Sequence, residues 1–205
     1  MTGLQVTPNG ATAVATPFES TSYTASVSLN GCTRTQNVYV AVDSLPDDLG
    51  IKPADTTICQ GAQVVLRSPV FEPIAYPNIV FKWTPGTGTL TPDSLYNLVV
   101  QPSQTTVYRR ITRNGQCADT SIAVVQVIPP AQMIVTPSDT IVCPGQSVQF
   151  QLTYTPGVTD IKWEPPTGLS CTTCDNPLAT PVTSQNYTIS GEFQGCPVNA
   201  SASVQ

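Results

Sequence analysis

The sequence predicts an all-β protein, built of small β-sandwich units set head to tail and braced by disulfides. Three observations carry this expectation. The chain has 20 Pro and 13 Gly in 205 residues and is rich in Thr, Ser and Val, a mix that disfavours long helices and suits short strands joined by turns. A Pro, Tyr, Cys pattern returns three times at constant spacing, as Pro17, Tyr23, Cys32, then Pro102, Tyr108, Cys117, then Pro181, Tyr187, Cys196. After each Cys the apolar residues alternate, as Val38, Val40, Val42, then Ala123, Val125, Val127, then Ala202, Val204, the period of a half-buried strand.

The upstream half of the repeat occurs twice. Asp55, Cys59, Gly61, Val64 and Leu66 match Asp139, Cys143, Gly145, Val148 and Phe150, and Lys82, Trp83 and Pro85 match Lys162, Trp163 and Pro165. Units of this length are domains rather than solenoid turns. Residues 45–130 and 131–205 are thus read as two whole repeats. Residues 1–44 start at Gly3, the counterpart of Gly88 and Gly168, and so read as the C-terminal half of a truncated repeat. The opening strands of that repeat and the partner of Cys32 are expected upstream. Expressed alone, the segment is expected to expose an apolar face. The seven cysteines, an odd number, agree with one being left over.

Each whole repeat reads as about seven short strands, with a Cys near the start, a Trp a third of the way in and a second Cys at the last hairpin. This is the layout of an Ig-like or PKD-like sandwich. Trp83 and Trp163 are expected in the cores with Tyr23, Tyr108 and Tyr187. The turns Asn30-Gly31 and Asn114-Gly115 suit a hairpin before the last strand. The first Cys is placed at the start of the first strand, beside that hairpin. This predicts the disulfides Cys59–Cys117 and Cys143–Cys196, a short clip Cys171–Cys174, and no partner for Cys32 within the chain.

The run Asp139-Thr-Ile-Val-Cys143-Pro-Gly145, Lys162-Trp163-Glu-Pro165, Gly168-Leu-Ser-Cys171-Thr-Thr-Cys174-Asp-Asn-Pro177, Pro181 and Tyr187-x8-Cys196 resembles the Ig/PKD-like repeats of Bacteroidota cell-surface proteins exported by type IX secretion, the SprB-type gliding adhesins and their relatives. The resemblance implies an outer-surface, outer-membrane-associated location and a stalk or adhesin role, with gliding motility as one use. It also implies O-glycosylation at Asp-Ser/Thr-apolar tripeptides, which here place candidates at Ser44, Thr56, Ser94 and Thr140.

Composition removes other classes. There is no His, so Ser-His-Asp and Cys-His catalysis and His-based zinc sites are absent; the chain is expected to be no enzyme. A net charge of -5 repels nucleic acid. No apolar run approaches the length of a membrane helix, so no membrane insertion is expected in this segment. Asp43, Asp47 and Asp48 around the first linker suit calcium, against the simpler reading of a solvated linker; otherwise no cofactor or metal is expected. Tyr76, Tyr96 and Tyr154 fall outside the repeated frame and are candidates for surface contact. The expected partners are neighbouring repeats of the same chain, surface polysaccharide or other cell-surface proteins. The alternative is a carbohydrate-binding module accessory to a secreted polysaccharide-degrading enzyme, which requires an exposed aromatic strip.

Overall fold

The computed structural model describes residues 3–7, 12–69, 78–143 and 145–205. Every regular element among them is a strand. The described residues among the first 44 form two antiparallel strand pairs: β1 (Leu4–Val6) with β2 (Ala13–Ala15), and β3 (Thr21–Leu29) with β4 (Cys32–Val40). The second hairpin turns at Asn30-Gly31, whose φ angles of 50° and 79° are those a two-residue turn between twisted strands requires. Val27, Leu29, Val38 and Tyr39 of this hairpin are all more than half exposed, so these strands carry their alternation without a core to receive it.

The second repeat contributes β5 (Asp55–Cys59), β6 (Val64–Leu66), β7 (Val80–Thr84), β8 (Leu98–Val100), β9 (Thr106–Asn114) and β10 (Cys117–Ile128). One sheet has the order β5-β10-β9-β7, and β6 pairs with β8. Its hairpin turn is Gly115-Gln116 rather than Asn114-Gly115. Asn114 stays in β9, nearly buried, and its Nδ2 donates to the Ser44 carbonyl at 2.8 Å.

The third repeat has β11 (Met133–Thr136), β12 (Asp139–Thr140), β13 (Val148–Gln149), β14 (Gln151–Tyr154), β15 (Val158–Glu164), β16 (Leu178–Ala179), β17 (Gln185–Phe193) and β18 (Cys196–Val204). The order β12-β18-β17-β15 repeats that of the second repeat, while β11 pairs with β14 and β13 with β16. In β17, Tyr187, Ile189 and Gly191 alternate inward, the burial pattern of a strand with one face on a core. Tyr187 and Ile189 join the core of Phe150, Trp163, Val198, Ala202 and Val204. Phe150 stacks on Trp163 at 5.4 Å and meets Tyr187 edge-on at 5.8 Å, the geometries aromatic quadrupoles favour. At Gly191 a Cβ would come within 2.9 Å of the Met133 side chain and 3.0 Å of Val158, so the close approach of β11 and β15 needs glycine there.

The first strand of the repeat is interrupted at Thr136-Pro137. Before the proline, β11 runs antiparallel to β14. After it, β12 runs parallel to β18, Asp139 opposite Ser203 and Thr140 opposite Val204. A proline lacks the N–H a continuous ladder needs, so the chain changes sheets there. By compactness the chain divides into one unit of Met1–Asp55, Val65–Val100 and Val107–Val124 and another of Thr56–Val64, Gln101–Thr106 and Val125–Gln205. The four-stranded sheets follow the sequence repeats; the compact units cut across them.

That parallel strand corrects the expected disulfides Cys59–Cys117 and Cys143–Cys196. Neither forms: Cys59 is bonded to Cys196, and Cys117 and Cys143 are free thiols. The Val142 N–H donates to the Gln205 carbonyl at 2.9 Å, which puts Cys143 past the far end of β18, while Cys196 opens that strand. Nine residues of strand separate them, about 30 Å, where a disulfide needs Cα atoms within about 7 Å. In the second repeat the Gln60 N–H donates to the Ile128 carbonyl at 3.0 Å, so Cys59 and Cys117 likewise lie at opposite ends of β10. The first Cys stands at the end of its strand, after the sheet change, not at its start.

Candidate functional site

The bond Cys59–Cys196 joins the end of β5 to the first residue of β18, with a Cα separation of 5.6 Å and 137 residues between. Both cysteines lie in the second compact unit. Cys196 is buried and Cys59 half-buried. Each comes from a different sequence repeat, which spacing alone did not reveal. Cys32 is free and exposed, without a partner in the chain.

Cys171 and Cys174 are bonded to each other, Cα to Cα 6.0 Å, in the segment between β15 and β16. The clip has a job that its spacing did not disclose. The Trp163 backbone N–H donates to the Thr172 carbonyl at 2.8 Å, and its indole Nε1 donates to the Cys174 carbonyl at 3.0 Å. In the second repeat Trp83 makes the same two bonds to the Asp93 and Leu95 carbonyls, at 2.8 and 2.9 Å. There the segment is tied by an exposed Lys82–Asp93 ion pair instead. The third repeat thus uses a covalent loop where the second uses a solvent-screened pair, and a screened pair contributes little.

Trp83, Trp163, Tyr108 and Tyr187 are buried. The Tyr108 hydroxyl donates to the Thr87 carbonyl at 2.8 Å and that of Tyr187 to the Thr167 carbonyl at 2.9 Å, so each buried phenol is satisfied by a carbonyl in the segment that follows the Trp strand. Tyr23 departs from the expected core position. It is half-buried and lines an open groove of about 530 Å³ between the two strand pairs, with Leu4, Val6 and Ala13 of β1–β2 and Val38 and Val40 of β4.

Tyr96 is half-buried and packs edge-on against Phe81 at 5.5 Å. The half-buried Tyr154 hydroxyl reaches the Asp175 carboxylate at 3.3 Å; burial, then the neighbouring Asp175 charge, raises its pKa above the ordinary value. Neither is a free platform, and Tyr76 lies outside the described residues. Among the described residues, the exposed aromatics are Phe18 and Tyr39. The Asp43 carboxylate accepts the Gln116 N–H at 3.2 Å and that of Asp48 the Gly50 N–H at 2.8 Å. Ser44 and Ser94 are exposed, whereas Thr56 and Thr140 are half-buried within β5 and β12.

Sequence reading missed one residue altogether. Arg110 is fully buried in the second repeat. It donates to the Ser68 hydroxyl and, from Nη2, to the Leu49 carbonyl at 2.7 Å. Its guanidinium carbon stands 5.5 and 5.6 Å from the Phe81 and Trp83 ring centroids. Burial pushes its pKa down, against the pull of Tyr96, Asp48 and Asp119. An Arg in the strand pattern of β9 reads as solvent-facing; only its inward register beside Trp83 could have flagged it.

No family model and no curated protein matches the chain. Among solved structures it is similar to a three-domain immunoglobulin fragment from the titin I-band, with 12% identity over 99% of this chain and 82% of that one and a TM-score of 0.53. A mutated variant of the corresponding three-Ig titin fragment gives 13% identity, 98% and 81% coverage and a TM-score of 0.51. At this identity the likeness is one of fold: the chain is a tandem of disulfide-bearing Ig-like β-sandwich repeats.

Proposed function

We propose that this chain is a non-catalytic extracellular segment of a large repetitive cell-surface protein, serving as the stalk of an adhesin. One observation carries the reading: the Trp and Tyr that recur in the two whole repeats, and the one long-range cysteine pair, are spent on architecture. Trp83, Trp163, Tyr108 and Tyr187 are buried, and Cys59 and Cys196 are bonded. A chain without His and with the recurring Trp and Tyr of its two whole repeats inside cores is suited to spacing and load rather than turnover. Among the described residues two aromatics are exposed, Phe18 and Tyr39, fewer than the planar strip a carbohydrate-binding module stacks on sugars, which favours the stalk. The finer reading is a SprB-type adhesin of a Bacteroidota cell surface, exported by type IX secretion, with gliding as its use and with neighbouring repeats, surface polysaccharide or other surface proteins as partners; the repeat motif supports it.

An antibody raised against residues 131–205 tests the location. Labelling of intact source cells, lost after mild protease shaving, supports the proposal. Labelling only after permeabilisation overturns it. A polysaccharide pull-down with the full chain separates the alternatives, since specific retention on a glycan favours the binding module.

A further inference from the structure

The Cys59–Cys196 bond pairs two kinds of cysteine. Cys59 is of the kind that follows the parallel strand, in Asp-x3-Cys-x-Gly; Cys143 is its counterpart in the third repeat. Cys196 is of the kind that opens the last strand after the hairpin turn; Cys117 and Cys32 are its counterparts. The bond joins the first kind in one repeat to the second kind in the next. The free cysteines fit the same rule on two independent grounds.

The first is the surface beside Cys143. In the second repeat, the segments Thr56–Val64 and Gln101–Thr106, which hold Cys59 and Pro102, belong to one compact unit with the third repeat. Their counterparts in the third repeat form an open groove of about 230 Å³, lined by Val142, Pro181, Val182, Thr183 and Val204 among others. Ile141 and Val182 are 83% and 77% exposed there. Cys143 stands next to Val142, exposed and free.

The second is the place of Cys117. Its Sγ–H donates to the Asp43 carbonyl at 3.2 Å, and the neighbouring Gln116 N–H donates to the Asp43 carboxylate. Asp43 is the counterpart, one period earlier, of Ile128, whose carbonyl accepts the N–H of Gln60 beside Cys59. The Cys117 thiol therefore stands at the position in the first repeat where a cysteine of the first kind ends its strand.

We propose that every joint of the array is closed by this bond, and that Cys143 is the attachment point for the hairpin cysteine of a following repeat of the same kind, seated in the groove beside it. The inference deepens the stalk reading and rests on it only for the existence of further repeats. In the covalent step the two thiols lose two protons and two electrons and form one S–S bond; a disulfide oxidant takes them and is released as two thiols. The bond spans the linker between repeats, so load passes from sandwich to sandwich without relying on the linker alone.

The test appends a second copy of residues 127–205 to Gln205 of the full chain and counts free thiols after equilibration with glutathione disulfide. Three free thiols are expected: Cys32, Cys117 and the appended copy's counterpart of Cys143. Replacing the original Cys143→Ser is decisive. If the joint is cross-linked, the count rises to four, because the appended hairpin cysteine loses its partner. If the appended hairpin cysteine pairs within its own copy, it falls to two, and the proposal is overturned. Peptide mapping reads the linkage directly: a Cys143-containing peptide joined to the appended hairpin supports the proposal, and any other partner sinks it. Neither readout depends on cell-surface location, so failure here leaves the stalk reading standing.

Discussion

Arg110 lies directly across the sheet from Trp83, in the register by which Ile189 lies across from Trp163. The second repeat thus holds a guanidinium at the centre of its sandwich where the third holds an aliphatic side chain. Its hydrogen bonds to Ser68 and Leu49 and its two aromatic neighbours satisfy most of it, but its Nε has no partner among the described residues. Replacing a buried, imperfectly paired charge with an apolar residue is commonly neutral or stabilising, whereas truncating it leaves a cavity and orphaned partners. Arg110→Ile is therefore expected to stay within about 1 kcal/mol of the parent or exceed it, and Arg110→Ala to lose roughly 3 kcal/mol. Urea unfolding of the full chain checks both; a loss above about 3 kcal/mol for the Ile variant would show that the guanidinium organises the core.

The long disulfide should dominate the response to reductant. Closing a loop of 137 residues removes about 5 kcal/mol of unfolded-chain entropy, against about 2 kcal/mol for the Cys171–Cys174 clip. Cys59→Ser is expected to lower the melting temperature of the third repeat more than Cys171→Ser does. Pulled from its ends, the oxidised chain keeps the enclosed residues out of the force path. Reduction should lengthen the total extension by on the order of 450 Å. Equal extension with and without reductant would mean that the bond is not formed in solution.

Alkaline pH should destabilise the third repeat through ionisation of Tyr187. Burial raises the pKa of Tyr187, so the fold favours the neutral phenol that donates to the Thr167 carbonyl. This contribution is fully present below the unfolded value of about 10 and is lost as the pH climbs through the higher folded value. Absorbance at 295 nm should show one tyrosine ionising together with loss of structure. Tyr187→Phe should remove that coincidence and cost about 1 kcal/mol near neutral pH.

Among the four tripeptides that suit O-glycosylation, exposure separates two pairs. Ser44 and Ser94 are open to solvent, while Thr56 and Thr140 sit half-buried in the strands β5 and β12, where a glycan would displace packing. Native exported material is expected to carry glycan at Ser44 or Ser94 ahead of the two threonines, as read by glycopeptide mass spectrometry. Bare peptides at all four positions would count against an exported protein of this type.

The sequence by itself determined the architecture of the cores. The spacing of Trp, Tyr and the alternating valines has one satisfactory folding, because a period of two with one apolar face must be buried against another sheet. Trp163 and Tyr187 were legible for that reason, and so was the clip, since Cys171 and Cys174 are close along the chain whatever the fold. Which long-range cysteines meet was decided only by the tertiary structure. The proline at 137 sends the chain from one sheet to the other, and the following segment runs parallel to the last strand. That direction carries Cys143 to the end of β18 opposite Cys196 and leaves Cys196 for Cys59. Spacing along a chain fixes which residues share a face, but it carries no information on whether two distant strands run parallel or antiparallel, and a reversal of sense moves a strand-end cysteine by the whole length of its neighbour. Arg110 escaped for a related reason: a charged side chain at an inward register is legible only once its hydrogen-bond partners, Ser68 and Leu49, have been brought to it from distant parts of the chain.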